Sequence, residues 1–95
     1  MTARENILEA AKKCVNGDRD HKYGNPENNF ANIATLWSFY LNTEVSPIDV
    51  AMMMALLKIA RAKADPTGLD SYIDLAGYAA CAGEIAGTVT NSTAK

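Results

Sequence analysis

SPIDVAMMMALLKIARAKADPTGLDSYIDLAGYAACAGE, residues 46–84, decides the fold. It reads as two helices joined by a Pro/Gly turn at Asp65-Pro66-Thr67-Gly68. Ser46-Pro47-Ile48-Asp49 supplies an N-cap, a proline at the first helical position where its missing N–H costs nothing, and an acid able to reach back to the cap. Eight consecutive apolar residues, Val50 to Leu57, then leave the first helix little polar surface, which predicts a central helix covered on most sides. The second helix sets Asp70, Asp74, Gly77, Cys81 and Glu84 along one strip with Tyr78 beside it, next to an apolar strip of Leu69, Ile73, Ala76 and Ala80. Its many alanines and glycines let another helix approach closely.

Outward from this hairpin the pattern stays helical. Thr2 and Glu5 stand at capping-box spacing ahead of Ile7, Leu8, Ala11, Cys14 and Val15, so a helix is expected over 2–15. Asn25-Pro26 opens another, with Phe30, Ile33, Ala34, Trp37, Tyr40 and Leu41 as its core-facing side. Between them GDRDHKYGN, residues 17–25, is polar and rich in turn formers. It is either a binding loop or a solvated connector with Tyr23 against the core. Either Thr67 or Asp70 can cap the last helix. The expected architecture is a four-helix, bundle-like all-α domain over residues 1–87, followed by a polar tail over 88–95.

Composition narrows the function. An apolar share of 48% argues against disorder, and no apolar run approaches the roughly 20 residues of a membrane span. The start of the chain lacks a signal-like apolar core, so a cytoplasmic location is expected. A net charge of −2 and a pI near 5.2 give no pull toward duplex nucleic acid. Cys14 and Cys81 sit inside helical apolar patterns and read as buried free thiols. A domain this small buries a modest fraction of its surface, so a homodimer or larger assembly is expected, with the apolar helix at the interface.

Three acids, Asp49, Asp70 and Asp74, carry the first chemical reading, because carboxylates projecting between helices can hold Mg²⁺. Each has a structural alternative: Asp49 as a helix cap, Asp70 and Asp74 as ion-pair partners of Lys58 and Arg61 across the hairpin. Asp74 resists the capping explanation, since it lies a turn inside its helix between Ile73 and Leu75. In the second reading Lys58, Arg61, Arg19 and Lys22 meet phosphate oxygens, while Tyr23, Trp37 or Tyr78 stacks on a base. His21 has no nucleophile paired with it, and no phosphate-cradling glycine loop, dinucleotide fingerprint or zinc spacing occurs.

The runs DRDHKYGNPENNFANIATLWSFYL, DVAMMMALLKIAR and DSYIDLAGYAA resemble small phage and prophage all-α proteins that are distantly similar to MazG-like nucleoside triphosphate pyrophosphohydrolases. That resemblance implies antiparallel helices, oligomers, Mg²⁺ as cofactor and cleavage of a triphosphate to a monophosphate and pyrophosphate. Asp74 matches the last acid of the family's metal motifs. Ser71 stands where that acid's Glu partner belongs, and Met52 follows Asp49 where a second Glu belongs. With two of four ligands absent, the implied protein binds a nucleotide through a degenerate Mg²⁺ motif, and the sequence leaves open whether it is an enzyme. The alternative is a non-catalytic phage protein that sequesters a nucleotide signal or inhibits a host defence protein. The expected ligand contacts are Arg19, Lys22, Lys58 and Arg61 to phosphate, Asp70 and Asp74 to a metal or ribose, and Tyr23 and Tyr78 to the base.

Overall fold

A computed structural model describes residues 2–15 and 26–90 of the chain. Four helices account for most of them: α1 (Ala3–Val15), α2 (Pro26–Leu41), α3 (Pro47–Ala64) and α4 (Leu69–Thr90). No strand occurs among the described residues, as the helical periodicity requires. The last helix runs to Thr90, three residues into the stretch expected as a polar tail.

Helix starts follow the capping chemistry. The Thr2 N–H donates to Glu5 Oε1 at 2.7 Å and the Glu5 N–H donates to Thr2 Oγ1 at 3.1 Å, closing a capping box at α1. The Thr2 N–H bond to the carboxylate, and after it the Thr2 hydroxyl beside it, hold the exposed Glu5 carboxyl below the ordinary glutamate range. At α3 the Ser46 N–H donates to Asp49 Oδ2 at 2.9 Å and the Asp49 N–H to Ser46 Oγ at 3.1 Å. The start of α4 differs from expectation. Gly68 immediately precedes it, and the Thr67 hydroxyl donates to Asp65 Oδ1 at 3.1 Å instead of capping the helix.

The stop of α2 uses a device the sequence reading did not anticipate. Asn42 takes the left-handed conformation at φ 55°. Its N–H reaches Phe39 O at 3.4 Å while the Thr43 N–H reaches Ser38 O at 3.2 Å, the two bonds of a Schellman stop. Ser38 Oγ then clips the connection, accepting from the Val45 N–H at 2.8 Å and donating to Val45 O at 3.2 Å.

Every other helix packs against α4, and α3 forms its most extensive contact. The core gathers Phe30 and Ala34 of α2, Val50 and Ala51 of α3, and Cys81, Ala82 and Ile85 of α4. Trp37 packs against this cluster and is half-buried, as expected of an anchor on the α2 stripe. Helix α1 lies on α4 at Gly77, where a Cβ would stand 3.5 Å from Val15 Cγ1.

Two expectations about burial need correction. Helix α3 is covered on one side only: Val50, Ala51 and Ala55 are buried, but Met52, Met53, Leu56, Leu57 and Ile59 are exposed. Two neighbouring helices cannot enclose a cylinder that is apolar all round. The α2 stripe also ends early, since Tyr40 is 85% exposed and Leu41 is exposed, with Leu36 and Phe39 open beside them. Beyond Trp37 the described chain offers that end of α2 no further cover.

Two substitutions test this packing. Ser46→Ala removes the hydroxyl that accepts from Asp49 N–H and should lower stability by about 1 kcal/mol in thermal or denaturant unfolding. Gly77→Ala places its methyl at ordinary contact distance from Val15 and should raise stability by about 0.5–1 kcal/mol through helix propensity.

Candidate functional site

The turn between α3 and α4 is short enough to lay the second half of α3 along the first half of α4. Asp65 closes α3 through its N–H to Arg61 O at 2.9 Å, and its carbonyl accepts from the Gly68 N–H at 3.1 Å. A Cβ on Gly68 would fall 2.8 Å from Asp65 Oδ2, so any side chain there would have to turn the exposed Asp65 carboxylate aside. Tyr72 then ties α4 to the turn, its hydroxyl donating to Pro66 O at 2.8 Å.

This register places Lys58 Nζ 2.9 Å from Asp74 Oδ2. The side chains are 15% and 38% exposed, so the pair is more sheltered than a surface ion pair and still reachable from solvent. Among the described residues it is the one carboxylate–cation pair within bonding distance. Arg61, a turn further along α3, is exposed, and so is Asp70, a turn before Asp74 on α4.

Asp74 also borders a small open cleft with Cys14 and Val15 of α1 and Gly77, Tyr78 and Cys81 of α4. Its volume is about 80 Å³, room for a few waters or one phosphate group and well short of a nucleotide-sized pocket. Tyr78 is held in orientation by Phe30, their ring centroids 6.2 Å apart at 30°. A hydroxyl or amine donor entering this cleft would compete with Lys58 for the Asp74 carboxylate.

Asp74 thus joins Lys58, its ion-pair partner, to the cleft it lines with Tyr78, with Arg61 and Asp70 one turn away. It does not bring Asp49 to them. Asp49 is exposed at the start of α3 with its carboxylate engaged by the Ser46 N–H. Among the described residues no three Cys, His, Asp or Glu side chains gather closely enough to share a metal ion, so one chain presents no ready Mg²⁺ cage there. Arg19, Lys22 and Tyr23 lie outside the described residues.

The cleft includes residues that sequence reasoning had not assigned to a site. Cys14 was expected to be a buried thiol and is exposed at the rim, whereas Cys81 is buried as expected, and neither forms a disulfide. The strip Asp74, Gly77, Cys81 with Tyr78 beside it carried the signal, since all four line this cleft. What the strip lacked was its opposite wall, contributed by the end of α1.

A family model described as a domain of unknown function, DUF6378, matches residues 6–86, and the chain belongs to that family. The curated proteins similar to it include the "Gene 55 protein" of Mycobacterium phage D29, 51% identical over 77 residues that cover 81% of this chain and 51% of the relative. The "Gene 55 protein" of Mycobacterium phage L5 is 46% identical over 74 residues, covering 77% of this chain and 47% of the relative. The family therefore includes phage proteins, and the chain spans about half the length of these curated relatives. No solved structure matches the chain. No described helix is long and apolar enough to cross a membrane.

A double-mutant cycle with Lys58→Met and Asp74→Asn should return a coupling of about 1 kcal/mol, at the upper end for partly exposed pairs. A coupling near zero in chemical denaturation would show that the two side chains act independently.

Proposed function

We propose that the chain binds a phosphate-bearing ligand of the nucleotide type at the cleft beside Asp74. The observation that carries this reading is Asp74, which lines the cleft together with the ring of Tyr78 and is paired there with the half-sheltered ammonium of Lys58 reaching in from α3. Lys58 and Arg61 meet the phosphate, Asp74 with Asp70 takes the ribose hydroxyls, and Tyr78 flanks the base.

Because the cleft holds about 80 Å³, most of a nucleotide must lie across its rim. The connection from α1 to α2 leaves from that rim at Val15. Arg19 and Tyr23 follow by four and eight residues, a chain reach of at most about 14 Å and about 28 Å. We propose them, with Lys22, as the remaining phosphate and base contacts; all three lie outside the described residues.

Binding without turnover fits the residues better than hydrolysis. Asp49 is committed to its helix cap, and Ser71 and Met52 cannot act as the carboxylates that a MazG-like Mg²⁺ site uses. Given the phage relatives, the ligand is a nucleotide or nucleotide signal of the host cytoplasm, held away from its receptor. The hydrolytic reading rests on Asp70 and Asp74, one helical turn apart, as a reduced metal site.

Calorimetric titration with linear and cyclic nucleotides, with and without Mg²⁺, separates these readings. Saturable binding is expected, weakened by roughly 10-fold or more in Lys58→Gln and Asp74→Asn, with ligand recovered intact after denaturation. Pyrophosphate release that vanishes in Asp74→Asn would replace sequestration with hydrolysis. Binding of no nucleotide at all would overturn the proposal and leave a role in contacting a host protein.

A further inference from the structure

Helix α3 is apolar on the side that faces away from its neighbours. At 100° per residue Met53 and Leu56 lie opposite Val50, Ala51 and Ala55, which are buried, and Met52 and Ile59 lie on the exposed flank next to them. The exposures of Met52, Met53, Leu56 and Ile59 are 51%, 42%, 62% and 49%, high for side chains of this size on a monomer. The connection at residues 42–46 keeps the end of α2 beside the start of α3, and there Phe39 and Tyr40 are 86% and 85% exposed. Solvated loops do not explain these positions, since all six belong to regular helix.

We infer that this α2–α3 face is the contact surface for a second copy of the same chain, paired about a two-fold axis near Leu56. Area is the first support. The six residues expose on the order of 750 Å², mostly apolar, comparable to the roughly 800 Å² per partner of a standard interface. Spacing is the second. Met52, Leu56 and Ile59 recur at four and three residues, a seam that another helix of the same kind can interdigitate. Charge is the third. Between Asp49 and Lys58 no charged residue interrupts α3, and Lys58 is turned to Asp74 on the opposite side. Two copies of this face therefore meet without like charges opposed at the centre, which a self-complementary contact requires. The inference does not rest on the ligand reading, since none of the six side chains lines the cleft beside Asp74.

Sedimentation velocity on the full chain tests it, with circular dichroism as a check on folding. The expected result is a dimer of twice the 10.2 kDa chain mass at micromolar protein. Leu56→Glu, at an exposed position, should weaken association by roughly 100-fold or more at unchanged helicity, while Leu8→Glu on exposed α1 should leave the dimer intact. A wild-type chain that stays monomeric overturns the inference. So does a dimer that survives both Leu56→Glu and Phe39→Glu, or one that Leu8→Glu dissociates in place of Leu56→Glu.

Discussion

Close approach to α4 is the constraint on which the structure depends. One helix can serve as common neighbour to three others only where its side chains are small enough to admit them from several directions. Gly77 admits Val15 from α1, while Cys81 and Ala82 meet the core shared with α2 and α3, where Val50 is fully enclosed. Bulk is supplied from the other partners: Phe30, Ile33 and Trp37 from α2, Ile48 and Met54 from α3. The cleft at Asp74 is a by-product of the same geometry. Where α1 ends on α4 beside a glycine, the surfaces diverge and an opening remains.

Helix starts were legible in the sequence because capping is local. Thr2 with Glu5 and Ser46 with Asp49 each act over three residues, so a reader of the chain sees both partners at once. The stop at Asn42 was less visible, because its signature is a backbone angle that asparagine tolerates without demanding. Burial was misjudged for a different reason. An apolar run on α3 states how much surface wants cover, and says nothing about how many neighbours one chain can supply. Tyr40 and Leu41 repeat the point on α2: they hold the right period and lie past the reach of the core.

The site divides along the same line. Lys58 and Asp74 could be paired from the sequence because a short turn fixes the register of the two helices it joins. The choice for Asp49 between metal ligand and cap was also posed by sequence, and the capping geometry occupies that carboxylate. Cys14 could not be placed, because its role at the cleft depends on where α1 crosses α4, a contact between distant segments with no local signature. Asp70 and Arg61 remain near the pair without joining it, each held a turn away by the 100° step of its own helix.

Helix α3 therefore carries two unlike surfaces at one height. Lys58 points into the hairpin, where its ammonium is sheltered and offset by Asp74, while Leu56 and Ile59 on either side of it in sequence turn outward. A helix in free solution would not hold both, since its outer side would drive it to aggregate or to bury itself against the nearest apolar surface. Covering that side with a second copy removes the liability and stiffens α3. A stiffer α3 fixes the position of Lys58 against Asp74. The proposed pairing would thus steady the Lys58–Asp74 pair from behind without occupying the cleft, and a phosphate arriving from the α1–α4 side would meet an ammonium already held in place.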